Sequence, residues 1–326
     1  MKHPTRVSLA WTRYLGSPLA APCCLLLTLL AMTPAPGELR SFTASDGAVL
    51  CYSVLPPAAG AAAPSAGPST VLLLHGWSGS RRYWDTVAPL LAARGLRVLV
   101  PDLRWHGDSA AGSPAGPAHV ARLGADVAEL LAHAATERVL LVGSSMGASV
   151  AFAYLELFGQ SRCAGVVAVD QAPLQNRAPG WTCGSKGCYD AATLAALQAA
   201  LAEDMGAFAD GNAACCLATP LAGEALNALL RAETLRCDPA RLGALMADHT
   251  ARDWRPLLPL LRVPVLSIYG GASGVFPPEG CAACGRLAPR GRCVEWPANG
   301  HWLYLERPGD FAAEVACFAA TDCAAA

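Results

Sequence analysis

Charge is scarce in this sequence. Asp, Glu, Lys and Arg make up 15% of 326 residues and the formal net charge is −1. No run of Lys or Arg occurs beyond the N-terminus, so binding to nucleic acid has no electrostatic support. No Asn-x-Ser/Thr triplet occurs, which removes the usual acceptor for N-glycosylation. No internal repeat marks a solenoid or a propeller. The N-terminal apolar run "LAAPCCLLLTLLAM" (19–32) is shorter than the roughly 20 residues of a helical membrane span. Hydrophobic residues, at 53%, are plentiful. They supply a large core and exclude global disorder.

That apolar run follows Lys2, Arg6 and Arg13 and precedes the small-residue "TPAPG". Cationic start, short apolar run and small residues form the pattern of a secretory signal peptide. The expected location is secreted or lumenal in the secretory pathway, with no stable membrane span after leader cleavage. The lack of acidic residues before Glu38 also fits a plastid or other organelle. Of 14 cysteines, Cys23 and Cys24 lie in the leader. The even remainder predicts an oxidising compartment and several disulfides. Cys281-Ala-Ala-Cys284 with Cys293 lacks the second pair or nearby histidine of a zinc site, so no metal is expected.

Along the chain, "RSFTASDGAVLCYSVL" reads as a hairpin turning at Asp46-Gly47. A Pro/Ala/Gly loop (56–69) follows. Apolar strands are predicted at 70–76, 97–102, 138–143, 165–170, 263–270 and 292–296. Helices are predicted near 83–93, 119–135 and 147–158. Strands without polar alternation, separated by helices, indicate a parallel sheet covered on both faces. Residues 174–255 are Ala- and Leu-rich without a clear strand, too long for an ordinary crossover. The predicted fold is α/β: a doubly wound, mostly parallel sheet with an inserted helical cap. The predicted divisions are a leader (1–37), the first part of the sheet domain (38–173), the cap (174–255) and the rest of the sheet domain (256–326).

The strongest local signal is "VLLVGSSMGASVAFAYL", a strand, then Gly143-Ser144-Ser145-Met146-Gly147, then a helix. Two glycines permit a tight turn that lifts the Ser145 hydroxyl above the sheet edge. The helix N-terminus behind it favours developing negative charge. Upstream, "LLLHGWSGS" ends a strand with His75-Gly76-Trp77; downstream, "NGHWLYLERPGDF" places His301 in a loop after the last strand. Together these motifs resemble the α/β-hydrolase family, over about 70–170 and 263–318. The resemblance implies that the backbone N–H groups of Trp77 and Met146 form an oxyanion hole, with His301 as the base. It also implies that "PDLRWHGDS" is a structural turn, so Asp102, Arg104, His106 and Ser109 are structural, and His75 shapes its own turn. His119, His133 and His249 lie on predicted helices and are read as surface or packing residues. Dehalogenases and epoxide hydrolases of this fold attack with a carboxylate, which Ser145 cannot supply.

The stretch "IYGGASGVFPPEG" (268–280) lacks the expected acid: Ser273 stands where most of the family carries Asp. Glu279 lies six residues on, beyond Pro277-Pro278, and is the alternative acid. In some family members the acid follows the strand after the nucleophile helix, and here that place is held by Asp170. Consecutive right-handed strand–helix–strand units bring the C-terminal ends of both strands to one rim, so Asp170 is the predicted triad acid. The expected activity is serine-dependent cleavage of a small-molecule carboxylic ester (a thioester or lactone being variants) with an apolar part. No cofactor is implied. Trp77, Trp84, Trp181, Phe276 and Trp302 are candidate pocket aromatics. Two alternatives stay open: a cofactor-free perhydrolase or haloperoxidase-like enzyme, and a non-catalytic relative that binds a small apolar ligand.

Overall fold

A computed structural model of the chain describes residues 37–62, 66–114, 116–219 and 224–324. The predicted leader, with Cys23 and Cys24, lies outside the described residues. Eight strands occur among the described residues: β1 (Glu38–Thr43), β2 (Val49–Leu55), β3 (Thr70–Leu74), β4 (Arg97–Pro101), β5 (Val139–Ser144), β6 (Cys163–Val169), β7 (Val265–Gly270) and β8 (Gly291–Trp296). They form one sheet in the order β1-β2-β4-β3-β5-β6-β7-β8. β1 and β2 make the antiparallel hairpin predicted around Asp46-Gly47, and β2 runs antiparallel to β4. All later pairings are parallel.

Strand residues alternate between two apolar layers, as a pleat requires. In β3, Val71 and Leu73 join one layer while Leu72 and Leu74 join the other. Both layers are covered by helices, which is why β3, β5 and β6 read as unbroken apolar runs. The main helices are α1 (Ala88–Ala92), α2 (Val120–His133), α3 (Met146–Phe158), α4 (Ala191–Glu203), α5 (Met205–Cys216), α6 (Glu224–Leu235), α7 (Pro239–Ala251), α8 (Pro278–Leu287), α9 (Leu303–Glu306) and α10 (Pro308–Thr321). The helix predicted at 83–93 is shorter: a 3-10 turn at Arg81–Trp84 is followed by α1, with Pro89 in its first turn. Proline lacks the N–H to continue a helix from before it.

The chain leaves β3 toward β4, then returns to the other side of β3 as β5. Strand order reverses there, and such reversals open a crevice at the C-terminal strand ends. Helices α4 to α7 are inserted between β6 and β7. Asp190, Asp204 and Asp238 cap α4, α5 and α7 by accepting backbone N–H bonds, each cap being worth about 1 kcal/mol. The insertion is fastened at its base, where Trp254 N–H donates to the Pro173 carbonyl at 2.8 Å. No helix among the described residues is long and apolar enough to cross a membrane.

The disulfide expectation is not met. All twelve described cysteines carry free thiols. Several thiols meet a backbone carbonyl: Cys163 donates to Gly165, Cys284 to Gln171 and Cys293 to Ala282, at 3.2 to 3.3 Å. Cys323 is fully buried in one of the apolar layers, and Cys281 is fully buried in a smaller apolar cluster with Tyr269 and Phe276. These residues act as small core hydrophobes, which a count of cysteines does not distinguish from a disulfide framework.

Candidate active site

Ser145 sits between β5 and α3 at φ 52°, in the left-handed region. Its N–H donates to the Val169 carbonyl at 2.8 Å, which ties the turn to β6. A non-glycine residue rarely holds such a φ, and strain of this kind costs about 1–3 kcal/mol. The flanking glycines are set by space. A Cβ on Gly143 would lie 2.3 Å from Ala148 N, and one on Gly147 would lie 2.3 Å from the Leu74 carbonyl oxygen. Gly76 passes close enough that its own added Cβ would stand 3.3 Å from Ser145 Cβ. The two segments predicted to carry oxyanion donors, Trp77 and Met146, therefore flank the serine. Met146 is the first residue of α3.

His75 is buried, with Nδ1 against the Gly76 carbonyl at 2.7 Å and Nε2 accepting from Leu103 N–H at 3.0 Å. Burial holds its pKa well below the ordinary histidine range, so it is a neutral brace for this turn. The "PDLRWHGDS" turn is built likewise. Asp102 accepts from the Arg81 and Asp108 N–H groups, Arg104 pairs with Asp126 and Asp46, and Ser109 Oγ accepts from Cys51 N–H.

Asp170 follows β6 directly, also at positive φ (45°), and is fully buried. Its Oδ1 accepts from Gly270 N–H at 2.9 Å. Its Oδ2 accepts from Ser273 Oγ at 2.7 Å and from His301 Nδ1 at 2.5 Å. The strand rim thus brings Asp170, Ser273 and His301 together. Glu279 is exposed in the first turn of α8 and takes no part in this contact. Ser273, passed over as the place of a missing acid, hydrogen-bonds Asp170 from that place. The Cys281 thiol also lies against the carboxylate. Burial, and then the Asp170 charge, hold it well above its ordinary range, so it stays protonated.

The loop bearing His301 is fixed by Glu306. Asn299 Nδ2 and Gly300 N–H both donate to its Oε2 at 2.8 Å, and Ala218 N–H donates to Oε1 at 2.6 Å. Trp302 N–H donates to the Cys216 carbonyl at 2.9 Å. With one side of His301 donating Nδ1–H to Asp170, the lone pair of Nε2 is left for a proton.

Ser145 and His301 line one cavity of about 320 Å³ beneath the helical insertion. Trp77 and Trp302 line it as expected. Trp84, Trp181 and Phe276 are not in its wall. Trp84 stacks on Tyr304 at 4.2 Å in the core. Trp181 donates Nε1–H to the Leu174 carbonyl and packs under Arg255. Phe276 is buried against the His301 ring at 5.9 Å. Phe208, Met246, His249 and Gln175 supply wall that the sequence reading missed. The signal for two of them was helical spacing: Leu242, Met246 and His249 recur at i, i+4 and i+7.

Comparisons with known proteins agree with this architecture. The sequence model of the alpha/beta hydrolase family matches residues 71–314. A pimeloyl-[acyl-carrier protein] methyl ester esterase of Aromatoleum aromaticum is 31% identical over 257 residues, 74% of this chain and 94% of that protein. A non-heme haloperoxidase of Rhodococcus erythropolis is 33% identical over 132 residues, 40% of this chain and 43% of that protein. The crystal structure of an esterase from Rhodococcus sp. ECU1013 superposes with a TM-score of 0.71 at 29% identity, covering 87% of this chain and 99% of that one. The family match runs from β3 into α10, through the strand ends that carry Ser145, Asp170 and His301, and the chain belongs to the alpha/beta hydrolase family.

Proposed function

We propose that the protein cleaves carboxylic esters of small molecules through an acyl-enzyme on Ser145. The observation that carries this reading is the Asp170–His301 contact at 2.5 Å, behind a cavity whose wall holds both His301 and the strained Ser145. In this mechanism Ser145 Oγ attacks the ester carbonyl while His301 Nε2 takes its proton. Asp170 holds the reactive tautomer and stabilises the imidazolium. The Trp77 and Met146 N–H groups, with the N-terminus of α3 behind them, receive the oxyanion. His301 then protonates the departing alcohol, and a water activated by the same nitrogen releases the acid. The ester relative at 31% identity supports the substrate class.

Labelling with a fluorophosphonate tests the reading directly. An activated Ser145 takes the label, Ser145→Ala does not, and the labelled protein loses activity on 4-nitrophenyl esters. A parent protein that neither labels nor turns over any ester would instead be a binding protein with a retained pocket. The haloperoxidase relative motivates a second reading, in which hydrogen peroxide replaces water in the second step and gives a peracid. Peroxide-dependent bromination in acetate, exceeding ester hydrolysis, would favour it.

A further inference from the structure

The cavity beside Ser145 has no charged wall. Among the described residues that line it there is no Asp, Glu, Lys or Arg. An ionised group moved from water into such a space loses hydration and meets no counter-charge, which is strongly unfavourable. The wall is nevertheless not uniformly apolar. On α7 the Leu242 carbonyl accepts Trp77 Nε1–H at 3.0 Å, and Met246 and His249 continue the same stripe along the cavity.

His249 is 2% exposed, and neither ring nitrogen has a hydrogen-bond partner. Burial pulls its pKa to about 4. The neutral ring offers one N–H and one lone pair. Gln175, from the loop leaving β6, lines the same cavity at 4% exposure, and its Oε1 is also without a partner. The two segments adjoin: Asn176 N–H donates to the Thr250 carbonyl at 3.2 Å, and Leu174 bridges Asp253.

Unpaired buried polar atoms cost stability, and Phe or Met would fill these places without that cost. We propose that His249 and Gln175 form a polar subsite for an uncharged group that both donates and accepts a hydrogen bond, a hydroxyl foremost, on the part of the ester remote from Ser145. The subsite rests on the reading of Ser145 as nucleophile. A hydroxyl donates to Gln175 Oε1 and accepts from the His249 N–H, so two of the three unpaired atoms gain a partner. A methyl group satisfies neither. A carboxylate has no proton for Gln175, and an ammonium cannot accept from His249. The polar atoms are covered by their neighbours, so reception includes a turn of both side chains toward the cavity. No hydrogen bond to those atoms has to break for that turn.

The test uses two series of 4-nitrophenyl-type and alkyl esters, with the variable end on the acyl side in one and on the alcohol side in the other. Within each series the remote end is methyl, hydroxyl or carboxylate at equal length. The parent protein should prefer hydroxyl over methyl by about tenfold or more in kcat/KM in one series, and should disfavour carboxylate in both. Gln175→Met and, separately, His249→Phe should bring the hydroxyl-to-methyl ratio to near parity while raising Tm, as removal of an unpaired group predicts. A ratio near one in the parent, which is what bridging waters alone would give, overturns the proposal. So does a ratio that survives in both variants. Fluorophosphonate labelling of Ser145 separates this failure from failure of the hydrolase reading. If Ser145 does not label, the same preference is read without turnover, as the thermal shift given by matched non-cleavable ethers ending in methyl or hydroxyl.

Discussion

Ser273 has one proton to place. Its Oγ accepts from the Val275 and Phe276 N–H groups at 3.2 and 3.3 Å, so its own hydrogen goes to Asp170 Oδ2 at 2.7 Å. Hydrogen bonds to a charged group are worth about 1.5–3 kcal/mol, enough to fix which way the carboxylate faces His301. Ser273→Ala should therefore lower kcat about tenfold, by roughly 1.4 kcal/mol in the barrier, with little change in KM. Ser273→Thr, which keeps the hydroxyl, should restore most of it. Steady-state kinetics on a 4-nitrophenyl ester decides, and an unchanged kcat in the alanine variant would reduce Ser273 to packing. Asp170→Asn should cost far more, about 10⁴ in kcat, the size known for the equivalent change in serine proteases. The first prediction depends on a contact across 103 residues of chain and the second on one across 131. The sequence could place Ser145 and His301 by their local turns and could place Asp170 by strand order. It could not show that the hydroxyl standing in the usual acid position reaches the displaced acid, because that requires the facing geometry of two loops.

At the scale of elements, the Ser145 turn and the helical insertion differ in how far they could be read. The turn is local: Gly143, Gly147 and the strand–helix junction dictate it, and an added Cβ at Gly147 has nowhere to go. The insertion is legible as helical from its Ala- and Leu-rich composition. Which faces meet the cavity is not legible, since α4 and α5 are Ala-rich on most sides and their orientation is set by packing. Trp77 joins the two elements. Its backbone N–H is the proposed oxyanion donor, whereas its side chain bonds the α7 carbonyl of Leu242 and meets Phe208 of α5 edge-on at 5.4 Å. Trp77→Phe keeps the backbone donor and removes the link to α7. We expect kcat/KM for long-chain esters to fall by about 3- to 10-fold, carried by KM, as expected when ground-state binding is lost. The rate at which a small fluorophosphonate labels Ser145 should stay within about twofold, because the donor is main chain. A collapse of labelling in the folded variant would place the indole in the chemical step.

Over the whole molecule, the scarcity of charge has a counterpart in buried groups kept neutral. The thiols are one set: burial pushes Cys163, Cys237 and Cys323 up to about 12. Alkylation of native protein at neutral pH should thus be confined largely to exposed Cys215 and Cys317, with the buried thiols reacting after denaturation and without reductant. N-terminal sequencing of the expressed protein tests the expected leader separately. The histidines are the other set. Burial holds His75 well below its ordinary range and brings His106 and His249 to about 4. In the unfolded chain each titrates near 6.5. Above that value neither state binds the proton and stability is unaffected. As pH falls from 6.5 toward 4, the unfolded chain takes up protons that the folded protein refuses, so stability falls with pH, approaching about 1.4 kcal/mol per pH unit for each histidine. Carboxylates held low by arginines, such as Asp46 and Asp108, lose their contribution only below the ordinary carboxylate range of roughly 4. Burial raises Asp85 and Asp102, so the folded protein takes up their protons above the ordinary carboxylate range and these two groups offset part of the decline. From pH 6.5 to 5 the arginine-held carboxylates therefore stay silent, and the buried histidines drive the decline. Urea midpoints should be level from pH 8 to 7 and then decline steadily to pH 5. His249→Phe should make that decline shallower, since one of three refused protons is gone. A midpoint that stays flat through this interval would mean that these rings accept protons in the folded state, and that the cavity wall at His249 is open to water.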